Sequence, residues 1–219
     1  MSRRIGICVS AVLLSSATSA WAQGPAAAPA APRFGLRAFG HFEWQMMAAT
    51  DTFEAITGKS TLTGVGGGVE VQRLWRGVFA RAAVSRMSQS GERIFVFDNI
   101  VFPLGVPLDI TMTPMELAAG WRFNPIGSRG IVGYLGAGGM FLNYNESSPS
   151  DASGEEVSER YNGFLVFGGV EVPVWRFVTA GAEVGWRKVE LPDPGGAMGA
   201  LGEQDLGGVT MRVMVSIRR

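Results

Sequence analysis

The sequence predicts an all-β chain, an eight-stranded antiparallel up-and-down transmembrane β-barrel. Three observations carry that reading. Apolar and polar residues alternate with period two from Phe34 to the C-terminus. The connections between the alternating segments are short and long by turns. The chain opens with the pattern of an export signal.

Period two marks a strand, because successive side chains point to opposite faces. In residues 34–47, Leu36, Ala38, Gly40, Phe42, Trp44 and Met46 share one face. Arg37, Phe39, His41, Glu43 and Gln45 share the other. In 62–72, Val65, Val69 and Val71 oppose Glu70 and Gln72. In 77–87, Val78, Ala80, Ala82 and Val84 oppose Phe79, Arg81 and Ser85. In 110–123, Leu117, Ala119, Trp121 and Phe123 oppose Glu116 and Arg122. Residues 130–145 are apolar and glycine-rich on both faces, so periodicity does not assign them. In 161–173, Phe164, Val166, Val170 and Val172 oppose Glu171. In 177–189, Val178, Ala180, Ala182, Val184 and Trp186 oppose Thr179, Glu183 and Arg187. In 208–219, Val209, Met211, Val213, Val215 and Ile217 oppose Thr210, Arg212 and Ser216.

Three connections are short: 73–76, 124–129 and 174–176. Four are long: 48–61, 88–109, 146–160 and 190–207. A membrane barrel needs about 9–11 tilted residues per crossing, with short turns on the periplasmic side and long loops outside. A soluble β-sandwich or a periplasmic lipocalin-like ligand carrier also alternates, but does not account for the interleaved loop lengths. The loop 88–109 holds Ile94-Phe95-Val96-Phe97 and Val101-Phe102-Pro103-Leu104, so either the strands extend beyond the membrane or a surface partner covers the loop, strand extension being the expected case.

Composition agrees. Of 219 residues, 47% are hydrophobic, 17% are charged and 31 are glycine. Arg3 and Arg4, a short apolar stretch and Ala20-Trp21-Ala22 predict a signal peptide over 1–22. Residues 23–33 read as a Pro/Ala linker, and 34–219 as the outer-membrane β-barrel domain. Without Arg3 and Arg4, 17 basic residues face 19 acidic ones, and there is no basic cluster of the kind nucleic-acid binding needs. The sole cysteine, Cys8, lies in the signal, so no disulfide is expected in the remainder.

The polar face carries Glu43, Glu70, Glu116, Glu171 and Glu183 beside Arg37, Arg81, Arg122, Arg187 and Arg212. Five acids and five bases suit a closed interior in which each charge finds a partner, since an unpaired buried charge costs several kcal/mol. Arginine suits this better than lysine, because its planar fork bonds both carboxylate oxygens. Only Lys59 and Lys188 are lysines, whereas a water-facing surface normally mixes in many. These ten residues are therefore expected to form a luminal ion-pair network. Trp75, Trp121 and Trp175, each followed by arginine, stand near the short turns and are expected as interfacial aromatics.

The segments FGLRAFGHFEW, GVGGGVEVQ, ELAAGWRF, LVFGGVEVPV and GVTMRVMVSI, taken in order, resemble bacterial eight-stranded outer-membrane β-barrel proteins, the OmpA-type transmembrane domain in the broad sense. The resemblance spans residues 34–219. It implies an outer-membrane address, lipid and lipopolysaccharide as surroundings, and insertion by the barrel-assembly machinery. That machinery recognises a last strand that usually ends in an aromatic residue, and here the end is Val215-Ser216-Ile217-Arg218-Arg219. Larger relatives append a peptidoglycan-binding domain, which is not expected here.

Little chemistry is expected. His41 is the sole histidine and Glu43 its same-face neighbour, a pair that can activate a serine. Some similar barrels are lipid-modifying hydrolases with such a trio, but spacing places no serine beside His41, and it falls on the luminal face. One histidine and no further cysteine exclude the usual zinc sets, and no cofactor is expected. Glu146, Asp151, Glu155, Glu156 and Glu159 read as a solvated acidic loop. The glycines at 66–68 and at 136, 138 and 139 lack the lysine and helix of a phosphate loop, and instead permit curvature or close packing. The expected protein is monomeric, non-enzymatic and plugged, acting in membrane integrity or surface interaction through its long loops.

Overall fold

A computed structural model describes residues 34–98, 100–127, 130–148 and 157–218. The expected signal and linker, and Asp151, Glu155 and Glu156, lie outside the described residues. Eight strands close a barrel in sequence order: β1 (Gly35–Met47), β2 (Thr61–Gln72), β3 (Val78–Phe97), β4 (Ile100–Arg122), β5 (Val132–Ser147), β6 (Val157–Pro173), β7 (Val178–Lys188) and β8 (Gly208–Arg218). Every neighbouring pair is antiparallel, and β1 closes the ring on β8 through a register running from Arg37↔Arg218 to Met47↔Gly208.

The alternation in sequence becomes an alternation of environment. In β1, every odd residue from Arg37 to Met47 is buried and every even one exposed. Outward positions hold Leu36, Phe42, Val65, Leu117, Val170 and Val215, all exposed. Inward positions hold charges. This inverts the usual water-soluble arrangement, in which large exposed apolar patches are rare, and suits a surface in contact with hydrocarbon. Among the described residues, no helix is long and apolar enough to cross a membrane.

Residues 130–145, unassigned by periodicity, are settled by pairing. Tyr134, Gly136, Gly138, Met140, Leu142 and Tyr144 point inward; Leu135, Ala137, Gly139 and Phe141 point outward.

The long-connection end differs from four simple loops. Strands β3 and β4 continue as a paired hairpin up to Phe97↔Ile100, with an irregularity between Glu92 and Ile94. The expected loop 88–109 is thus almost all strand. The connection after β1 contains a helix, α1 (Thr50–Thr57), and that before β8 a short one, α2 (Gly196–Ala200). Their stretches are too brief for helical periodicity to stand out in sequence. The Glu203 carboxylate accepts from the free N–H groups of Asp51 and Thr52 and so caps the α1 N-terminus. Phe53 of α1 is 1% exposed and packs in a cluster with Met47, Leu62, Met87, Leu108 and Leu206. This apolar layer lies at the long-connection end of the barrel, above its charged interior.

Candidate functional site

The strand register sets carboxylates against guanidinium groups. Arg37 faces Glu70 across β1–β2, and Glu70 faces Arg81 across β2–β3. On the other side, Glu43 faces Arg212, which faces Glu183. All ten charged residues singled out from the sequence meet inside the barrel. Near the short turns, Arg37 Nη1 donates to Glu171 at 2.5 Å. Arg122 donates to Glu70 at 2.7 Å and also to Glu171. Higher up, Arg81 donates to Glu70 at 3.0 and 3.1 Å and to Glu183 at 2.5 Å. Above it, Arg212 donates to Glu43 at 2.7 Å, to Glu116 at 2.6 and 3.0 Å, and to Glu183 at 3.1 Å. Arg187 donates to Glu43, to Glu116 and to the Gln45 side-chain oxygen. Several of these bonds cross the lumen. Arg81 on β3 reaches Glu183 on β7, and Arg212 on β8 reaches Glu116 on β4; in each pair the strands are four apart in a ring of eight.

The network is charge-assisted and desolvated. Nine of the ten side chains are at most 4% exposed; Arg122, nearest the short-turn mouth, is 13% exposed. Bidentate arginine–carboxylate pairs are among the strongest protein hydrogen bonds. Arg81 is also ringed by aromatics, its guanidinium carbon lying 4.6 Å from the Phe167 ring centre and 5.2 Å from those of Phe39 and Tyr134. Such cation–π contacts strengthen when water is absent. The Tyr134 hydroxyl donates to Glu183 at 3.0 Å.

One expectation is corrected at His41. Sequence spacing puts no serine beside it, yet Ser85 Oγ lies 3.1 Å from His41 Nε2. The two meet across β2, where Gly66 separates them in register. A Cβ on Gly66 would come within 2.6 Å of His41 Nε2, so glycine makes the contact possible. Glu43 Oε2 lies 3.9 Å from the same Nε2, while Nδ1 has no hydrogen-bond partner among the described residues. A catalytic triad needs its acid on the nitrogen opposite the nucleophile. Here both groups crowd one nitrogen, and the ring is sealed inside the barrel.

The tryptophans stand outside. Trp75 and Trp175 are exposed at the short turns, and Trp121 reaches the same end from β4. Trp75 and Trp121 meet edge-to-face at 6.5 Å. Among the described residues, no cluster of histidine, cysteine and carboxylate groups could hold a metal ion.

Comparison with solved structures agrees with this geometry. The attachment invasion locus protein Ail of Yersinia pestis, in complex with the heparin analogue sucrose octasulfate, superposes with a TM-score of 0.51. Identity is 10%, over 85% of this chain and 98% of that one. A major outer membrane protein from Thermus thermophilus superposes with a TM-score of 0.53, at 12% identity, over 84% of this chain and 99% of that one. The fold is that of the small outer-membrane β-barrels. No family model and no curated protein sequence matches the chain.

In a barrel of this size the interior just accommodates side chains. Its filling here uses residues that the sequence reading did not single out as a site. Phe39, Phe79, Ser85 and Gln45 share the polar face, but nothing in their spacing shows that they converge. Tyr134 sits in the unassigned fifth segment, and Phe167 beside glycines that blur the alternation. The inward glycines are the usable signal. Gly120 and Gly136 lie where an added Cβ would come within 2.4 Å of Phe79 and 2.6 Å of Phe167.

Proposed function

We propose that the chain is an integral outer-membrane β-barrel protein, monomeric and non-enzymatic, with a plugged and charged interior. It is surrounded by outer-membrane lipid and lipopolysaccharide and is inserted by the barrel-assembly machinery. Its task is membrane integrity or surface interaction through the long-connection end. The observation that carries this reading is the set of cross-lumen ion pairs from Arg81 and Arg212, lying beneath the apolar layer built around Phe53. Together they support a lumen with no broad water path. The exposed Phe95, Phe97 and Phe102 of the β3–β4 hairpin favour a surface-contact role for that end.

The Yersinia protein's polyanionic ligand does not transfer readily. The long-connection end here carries Asp51, Glu54, Glu92, Asp98, Glu190 and Glu203 against Lys59, Arg93, Arg160 and Lys188, an acidic excess that disfavours sulfate groups.

Cell fractionation combined with gel migration tests the membrane assignment. The protein is expected in the outer-membrane fraction, released only by detergent, with folded and boiled forms migrating differently. Recovery from the soluble periplasm without detergent would support a lipocalin-like carrier instead. The alternative of a lipid-modifying enzyme is tested through His41. His41→Ala is expected to leave the lipid A mass profile of cells unchanged. A change in acylation would establish catalysis.

A further inference from the structure

The short-turn end carries a feature that the interior network does not use. Two of its turns repeat a triplet, Leu74-Trp75-Arg76 and Val174-Trp175-Arg176. Both tryptophans stand far out of the surface, 64% and 78% exposed. The Arg76 guanidinium lies 5.5 Å from the Trp75 ring centre, and that of Arg176 lies 5.1 Å from the Phe177 ring centre. Arg73 and Arg76 hold φ angles of 59° and 42°. That left-handed region disfavours L side chains and is natural to glycine. Neither arginine is buried, and neither makes an ion pair among the described residues. The turn is closed by hydrogen bonds from Leu74 N–H to the Val78 carbonyl and from Val78 N–H to the Trp75 carbonyl, and it presents both arginines to the surface.

Between the turns opens a cleft of about 500 Å³. Arg37, Arg73, Arg122 and Arg218 line it, and Glu171 is the one carboxylate among its described lining residues. Glu171 is already bonded to Arg37 and Arg122. Arg37 and Arg122 are matched by Glu171 and Glu70, so the positive charge left over at the mouth is that of Arg73 and Arg218.

We infer that this arginine-rich end binds the phosphate groups of anionic phospholipid headgroups in the leaflet bordering the short turns. The inference rests on the transmembrane reading above. A guanidinium fork matches phosphate oxygens in pairs. Tryptophan settles at headgroup depth and so holds the adjoining arginine at the phosphate level. A soluble anionic glycopeptide would meet the same charge, but would leave Leu74, Trp75, Val174 and Trp175 exposed to water beside each arginine.

The full chain in nanodiscs of phosphatidylcholine mixed with phosphatidylglycerol provides the test. Lipids that stay bound on transfer to detergent are counted by native mass spectrometry. The unmodified chain is expected to retain phosphatidylglycerol preferentially. Each arginine near an anionic surface contributes about a fivefold preference, so Arg73→Gly/Arg76→Gly is expected to lose about 25-fold. The glycines relieve backbone strain, so this variant keeps its heat-modifiable fold. Equal retention of the two lipids by the unmodified chain would overturn the inference, as would a preference that survives the double substitution. Displacement of phosphatidylglycerol by inorganic phosphate at constant ionic strength, or by soluble peptidoglycan fragments, would overturn the lipid assignment. A chain that inserts but shows no preference contradicts this inference alone. A chain that never enters the bilayer contradicts the transmembrane reading as well.

Discussion

Replacing Arg212 by methionine lowers the unfolding free energy of the barrel by about 3–5 kcal/mol, the cost of breaking a buried ion pair from one side. Arg212 donates to three carboxylates, those of Glu43, Glu116 and Glu183. Removing it leaves Arg187 to serve Glu43 and Glu116, and Arg81 to serve Glu183 along with Glu70. Each remaining acid keeps a partner, but the buried charges no longer balance. Methionine fills part of the volume, so the loss reports charge rather than a cavity. Urea titration of the protein folded into phospholipid vesicles, followed by tryptophan fluorescence, measures the change. Arg212→Lys is expected to lose less, because it restores the charge without the fork. A loss below about 1 kcal/mol for the methionine variant would mean that the network is solvated, as surface pairs are.

The second large effect separates two adjacent glycines. Gly138 points inward on β5, where an added Cβ would lie 2.2 Å from the Leu117 carbonyl oxygen and 2.6 Å from Ala118 Cα. Both are backbone atoms of β4 and cannot yield without breaking the ladder. Gly138→Val is therefore expected to cost about 3 kcal/mol or more, at the upper end of overpacking effects, and to abolish most of the heat-modifiable form. Gly139 points outward, and the nearest atom to a Cβ there is the Gly163 carbonyl oxygen at 3.9 Å. Gly139→Val is expected to fold normally. Equal behaviour of the two variants would mean that the register of β5 is wrong.

That pair also marks where the sequence is readable and where it is not. Alternation identifies strands wherever one face is charged and the other apolar, as along Arg37 to Gln45 or Val209 to Ile217. It fails at Gly136, Gly138 and Gly139, because glycine carries no face preference. The ten charged residues are legible as one inward set because each sits in phase with its strand. Their partners are not, because pairing between β3 and β7 or β4 and β8 depends on barrel closure, which no local pattern encodes. Ser85 escapes notice for the same reason, 44 positions from His41 and joined to it only across Gly66. The helix α1 is missed because eight residues give too few turns for a period of 3.6, and tertiary packing of Phe53 decides its state. The hairpin tip of β3 and β4 is legible from its apolar runs, since a loop in water would not hold Ile94 to Phe97.

Planar-bilayer recording of the purified protein tests the plugged interior most directly. With Arg81 and Arg212 tying opposite walls and the Phe53 layer above them, no unitary conductance steps are predicted at moderate voltage. Regular, long-lived openings of uniform size would contradict a closed, ion-paired lumen.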